Sequence, residues 1–377
     1  MVSTINPVKK TAGGDGTDAQ GFALRFGWYL CLLAFAIPLT VFHYAASPVW
    51  KWAAPERMVE LQAASPFQQR ILMPAIVGTI QKAAPWLDLH LLFAAAEVAA
   101  WMMLIVIAHC GLRAFRIGPP GLPRRLLAMT VVVPVAMHLI VPDFKVVSSL
   151  STNGGDLGLG EWKLVPYFRY VYDLPAAVFI LGLVILLKRF ADRPDSSRFL
   201  AYLGLFALAT VNRETTLFML PAFFVACFGV IGRNLLVLCV AAQAAVFATV
   251  HGLVKWFAPG LENSHAAIPA TNYENHFLKN LELFSDPLYL LIYLVRFGAG
   301  LYLVVLLLHR HVDPVLKRAL LAFGIPLFAS ALLVGRIVEH RVVIELIPIL
   351  WLAAVQGVMV WCAEQSRMAE FRPERSA

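Results

Sequence analysis

Beyond its first two dozen residues the chain is a succession of apolar runs cut by short polar breaks. Ten runs stand out, near 26–45, 87–110, 125–142, 173–188, 198–211, 215–231, 235–257, 287–308, 315–334 and 342–362. Several hold about 18 or more residues with almost no charge, enough for a helix to cross a hydrocarbon layer of about 30 Å. The runs at 198–211 and 215–231 are shorter, and "NRET" (212–215) reads as the turn between them. The pattern predicts an all-α fold, a polytopic membrane bundle of about ten transmembrane helices, two of them short. One domain is expected over 22–362, with a polar, Gly-rich, disordered tail at 1–21 and a second tail at 363–377. No small-residue cleavage pattern follows the first run, so it reads as an anchor rather than a removed signal.

The breaks differ in charge, and the difference orients the bundle. With ten spans and the N-terminus inside, the inner segments hold 18 Lys/Arg against eight Asp/Glu, and the outer segments 12 against 14. Lys and Arg in short loops favour the cytoplasmic side. Merging 198–231 into one long helix would send "HRHVDPVLKR" (309–318) outward and spoil the bias. Both termini are therefore expected to be cytoplasmic. The long loops 46–86, 143–172 and 258–286, the "NRET" turn and "GRIVEHR" (335–341) then open outward.

Composition supports the same solvent. The chain is 60% hydrophobic and 14% charged, with mean hydropathy +0.72, whereas a soluble domain is nearer half apolar and a quarter charged. The expected partner is the lipid bilayer, and no nucleic acid is implied. Cys31, Cys110, Cys227, Cys239 and Cys362 fall in or beside apolar runs without the spacing of a zinc or redox site. HExxH, Walker and GxSxG patterns are absent, so no metal and no cofactor is expected.

The outer segments hold the candidate chemistry. In the first loop, Met58 and Leu61 would share one face of a short helix over 55–64, while Glu56, Arg57 and Glu60 stay polar. "PFQQRILMPAI" (66–76) puts Arg70 at the mouth of an apolar helix, as a snorkelling arginine or a ligand. In "YVYDLPA", Asp173 opens a span two residues before Pro175, a helix-start pattern in which it serves as an N-cap or faces a cavity. The Gly cluster around Asp156 reads as a flexible loop. Arg213 and Glu214 lie between apolar flanks, where charge is expensive unless it meets a partner or a wet cavity. Neighbours one apart on a helix do not face each other, so the two should have different partners. They are either a structural ion-pair node or part of a substrate site. In "GRIVEHRVVIELIP", Arg336 and His340 share a helical face, and Arg341 and Glu345 can neutralise each other. Arginines converging on one cavity suit a phosphate, whose oxygens match a guanidinium fork. Within the spans, Glu97, His109, His138, His251 and Arg296 are isolated polar groups, and Glu97 with Arg296 could form a buried pair.

"PFQQRILMPAI", "YDLPA", "NRETTLF" and "EHRVVIELIP" together resemble a group of bacterial polytopic membrane proteins that looks like the GT-C type of membrane glycosyltransferase. The resemblance spans roughly 66–350. It implies a GT-C-like bundle with an outward-facing cavity in the inner membrane and a polyprenyl-phosphate-linked sugar as donor. A loop carboxylate would act as base, and arginines would hold the leaving phosphate. Such enzymes commonly carry an Asp, often paired with a second acid, in the first outer loop. This loop offers only Glu56 and Glu60, with Asp88 at the next span. Glu60 is therefore the first candidate base, with Asp173 and Glu214 next. Arg70, Arg213, Arg336, His340 and Arg341 are the candidate phosphate ligands. A polysaccharide polymerase or ligase, a lipid or solute transporter, and a non-catalytic assembly subunit remain competing readings. Transporters often show matching interrupted helices; one interrupted pair (198–231) is visible here without a clear partner, which counts against transport.

Overall fold

The computed structural model describes residues 15–63, 67–140, 143–147, 161–165, 168–259, 276–285, 287–333 and 340–370. Apolar sequence becomes helix because, in lipid, a helix satisfies every backbone group within its own segment. The first helix, α1, runs Asp15–Ala46, beginning within the stretch expected to be tail. Two short helices follow, α2 (Pro55–Val59) and α3 (Leu72–Ala83). Then come α4 (Leu89–Ala114), α5 (Leu122–Met129) and α6 (Val132–Leu139). The central stretch holds α7 (Asp173–Asp192), α8 (Ser196–Asn212), α9 (Met219–Cys227) and α10 (Arg233–Phe257). The remainder holds α11 (His276–Ser285), α12 (Pro287–Arg296), α13 (Leu301–Leu307), α14 (Pro314–Leu333) and α15 (Ile347–Glu370).

Among the described residues, seven segments are long and apolar enough to cross a membrane: Phe26–Ala46, Leu89–Ala114, Leu122–Leu139, Asp173–Asp192, Arg233–Phe257, Pro314–Leu333 and Val342–Met368. The chain is thus a helical, multi-pass membrane protein. The other three apolar runs are helical too, but shorter. With 17 residues, α8 is about 26 Å long at 1.5 Å per residue. Glu214–Cys227 and Tyr293–Leu307 are shorter still. Burial locates the centre: 78% of the apolar window is buried in both α7 and α15, against 17% in α10. Small residues allow close approach there. A Cβ on Gly182 would lie 3.0 Å from Leu205 of α8, and one on Gly324 3.0 Å from Leu346.

Three local features depart from the sequence expectation. The region between α6 and α7 adds to the all-helical fold one antiparallel pair, β1 (Asp143–Val147) and β2 (Glu161–Val165). The Gly cluster around Asp156 lies between these strands, outside the described residues. Next, α2 stops at Val59 and Leu61 takes φ +59°, so Met58 is buried while Leu61 is 51% exposed. The expected shared face is lost because the helix ends before it can form. Finally, the α12–α13 run breaks at Gly298, Ala299 and Gly300, with φ of 60°, 52° and 72°. The Gly298 N–H donates to His138 Nε2 at 3.1 Å, and the other ring nitrogen of His138 lies 2.7 Å from the Pro134 carbonyl oxygen.

Candidate functional site

The site grows from the turn at the end of α8. Arg213 caps that helix in an extended conformation (φ −161°, ψ 136°), and its N–H still donates to Ala209 O at 2.9 Å. The chain then winds into a 3-10 turn, Glu214–Phe218, fastened by Thr216 Oγ1 donating to Arg213 O at 2.9 Å. Successive side chains on extended backbone point to opposite sides. Arg213 and Glu214 therefore part, and each meets a different set of partners.

Arg213 turns into the protein. Its Nη1 lies 3.4 Å from Asp173 Oδ1 and its Nε 3.6 Å from Glu345 Oε1. The three side chains are only 4%, 3% and 1% exposed. Thr215 Oγ1 donates to the same Glu345 carboxylate, and Asn212 Nδ2 donates to Tyr172 O at 3.1 Å. Asn212, Arg213 and Thr215 thus tie the end of α8 to the starts of α7 and of the last helical segment. Asp173 is the first residue of α7, one position inside the N-cap, which Tyr172 occupies. The N-cap expectation is corrected: its carboxylate turns toward Arg213, a tertiary partner that local capping preference cannot anticipate.

Glu214 turns the other way, toward the first long loop. Arg70 grips it with two bonds, Nη2 to Oε1 at 2.6 Å and Nε to Oε2 at 3.2 Å. Such a fork is the strong form of the pair. The guanidinium also sits 4.5 Å from the centre of the Tyr172 ring, a cation–π contact. Burial alone would lower the Arg70 pKa, but the Glu214 carboxylate outweighs it and raises the pKa further above the ordinary arginine value. The loop is held in place by buried Gln68, which accepts from Ala63 N–H at 2.8 Å and donates to Met58 O at 3.3 Å. Arg70 is 10% exposed and Glu214 34%, so the node is most accessible at Glu214. Among the described residues, two guanidiniums thus meet three carboxylates from four separate stretches of chain.

A second polar group lies at the same end. His43, in the last turn of α1, places Nδ1 2.7 Å from Glu97 Oε1 of α4. The Arg169 guanidinium sits 3.3 Å from the centre of the Tyr44 ring. His43, Tyr44, Glu97 and Tyr170 line a narrow cavity with Met73 and Pro175. The Glu97 carboxylate, suggested above as a partner for Arg296, is engaged by His43. Sequence reasoning missed His43 and Arg169 altogether. The available signal was the lone acid Glu97 inside an apolar span, but its partner lies 54 residues away.

The structure gathers Arg70, Asp173, Arg213, Glu214 and Glu345 into one network. Glu60 stands apart: it is the exposed C-cap of α2, and among the described residues no hydrogen bond or ion pair joins its side chain to the node. Arg336 lies outside the described residues, as do the side chains of His340 and Arg341, while Glu345 meets Arg213 and Thr215. Among the described residues, no group of three His, Cys, Asp or Glu could hold a metal ion. Fold and site define a multi-pass helical membrane protein with an ion-pair node at one end of its bundle. No family model matches the chain, and no curated protein is similar to it.

Proposed function

We propose that the protein is a membrane glycosyltransferase of GT-C-like, ten-span architecture, using a polyprenyl-phosphate-linked sugar at the outer face of a bacterial inner membrane. The observation that carries this reading is the concentration of charge at one end of an apolar bundle, most accessible at Glu214. Charge at that depth is costly and usually serves a cavity or a partner. In the proposed reaction the acceptor hydroxyl oxygen bonds to the anomeric carbon while the carbon–oxygen bond to phosphate breaks. The polyprenyl phosphate leaves with the electron pair, and the hydroxyl proton passes to a carboxylate, with Glu214 the accessible one in the node. Arg70, freed from Glu214 as that proton arrives, neutralises the leaving phosphate. Arg213, already held by two acids, positions the turn rather than binding substrate.

The test is transfer of radiolabelled hexose from polyprenyl-phosphate hexose to extracted membrane acceptors, using the full chain in liposomes. Wild type should transfer label. Glu214→Gln should lower turnover by about 10²–10⁴, the range for loss of a general base, with Glu60→Gln near wild type. A wild-type protein that transfers no label from any polyprenyl-phosphate hexose refutes the reading. A second reading, solute or lipid transport, is favoured by the helix break at Gly298–Gly300. Broken helices often frame transport sites, and this break is a second interruption alongside that between α8 and α9. Label crossing the liposome membrane without covalent transfer would select it.

A further inference from the structure

At the opposite end of the bundle, α4 closes with two backbone bonds, Ile117 N–H to Leu112 O at 2.7 Å and Arg116 N–H to Arg113 O at 3.2 Å. This is the Schellman arrangement, completed by the contact position of Ile117 over Leu112, both buried. Its left-handed position, which glycine normally fills, is occupied by Arg116 at φ +56°. An arginine is a poor choice for that backbone, and among the described residues its guanidinium has no hydrogen-bond or ion-pair partner. The loop that presents it is nonetheless rigidly held. Arg124 donates from Nε to Ile117 O at 3.0 Å and from Nη2 to Gly118 O at 2.6 Å. Gln356 of α15 donates to Phe115 O at 3.5 Å and accepts from Asp313 N–H at 2.8 Å.

Between this loop and α15 lies a cleft of about 440 Å³, with Ile117, Met359 and Val360 as apolar lining and Arg116 and Arg367 as its cations. Arg367 is likewise exposed and without a partner among the described residues. The one carboxylate among the described lining residues, Glu364, is engaged by His311 at 3.1 Å. Next to the cleft, α15 exposes Val358, Val360 and Trp361. The cleft thus combines two available guanidiniums with an apolar path along a helix flank.

We propose that this cleft binds the head group of an anionic phospholipid, Arg116 and Arg367 clasping the phosphodiester while the acyl chain runs along Val360 and its neighbours. Basic pockets between membrane helices have the charge to take anionic head groups. The site is independent of the chemistry proposed at the other end. Its apolar flank distinguishes a lipid from a free anion, which would have no use for it.

The full chain in a neutral detergent is titrated with phosphatidylglycerol, phosphatidylcholine or inorganic phosphate, with retained lipid measured by native mass spectrometry and unfolding followed thermally. Wild type should retain phosphatidylglycerol over phosphatidylcholine. Arg116→Gly should weaken phosphatidylglycerol about fivefold, the value of one interfacial cation. Without added lipid, its unfolding temperature should equal or exceed wild type, because glycine suits the backbone. Arg367→Gln should weaken it similarly without touching the α4 cap. Unchanged phosphatidylglycerol binding in both variants overturns the proposal, as does equal competition by inorganic phosphate. An Arg116→Gly protein less stable than wild type without lipid also overturns it, by making Arg116 a structural residue.

Discussion

Removing the Arg213 guanidinium should destabilise the fold, and removing Glu345 as well should partly restore it. At 3.4 and 3.6 Å, each contact represents a gross attraction of roughly 5 kcal/mol at an effective dielectric near 20. Desolvation of the three groups offsets most of that in the native state. Arg213→Met leaves the desolvated carboxylates behind without their shared cation, a change worth about 3–5 kcal/mol of stability. Adding Glu345→Gln removes one of those carboxylates while keeping an oxygen for Thr215. The double variant should recover part of the loss, with a coupling of about 1–3 kcal/mol. The assay is reversible unfolding of purified protein in mixed micelles, run on wild type, both single variants and the double. If Arg213→Met lies within about 0.5 kcal/mol of wild type, or Glu345→Gln acts equally in both backgrounds, the node does not hold these helices.

Two further outcomes test the frame around the node. Reporter fusions at Ala258 and Asp313, at the far ends of the segment between α10 and α14, should report opposite sides of the membrane, outer and inner respectively; an inward signal at Ala258 excludes the ten-span arrangement. Asp195 caps α8 by accepting the Arg198 N–H at 2.8 Å, and that backbone bond, with help from Ser197 and nearby arginines, holds its pKa below the ordinary carboxylate value. A depressed carboxylate adds stability above its unfolded pKa and loses it as pH falls through the folded value. Acid titration of unfolding should therefore show a small loss below the ordinary carboxylate range that Asp195→Asn removes.

How much was legible depends on the range of the physics. That Arg213 and Glu214 need separate partners follows from their adjacency, and the structure separates them. Which partners they take does not follow, because Asp173 is 40 residues from Arg213 and Arg70 is 144 from Glu214. Asp173 shows the contest directly: its position favours a cap by local preference, yet its carboxylate turns to a tertiary cation. The Glu97–His43 pair was hidden for the same reason, since nothing in either run names the other.

By itself, the sequence determined the solvent, the apolar runs that become helices, and the placement of unusual charge between them. Those properties are local: uninterrupted apolar length sets a helix in lipid, and a charged residue inside it stands out without reference to any neighbour. Only the tertiary structure decided that α7 and α15 form the centre, that Arg213 is sealed between two acids while Glu214 stays accessible, and that Arg116 occupies a position made for glycine. Each depends on which helices lie side by side, and packing of similar apolar surfaces carries no address that can be read along a single chain.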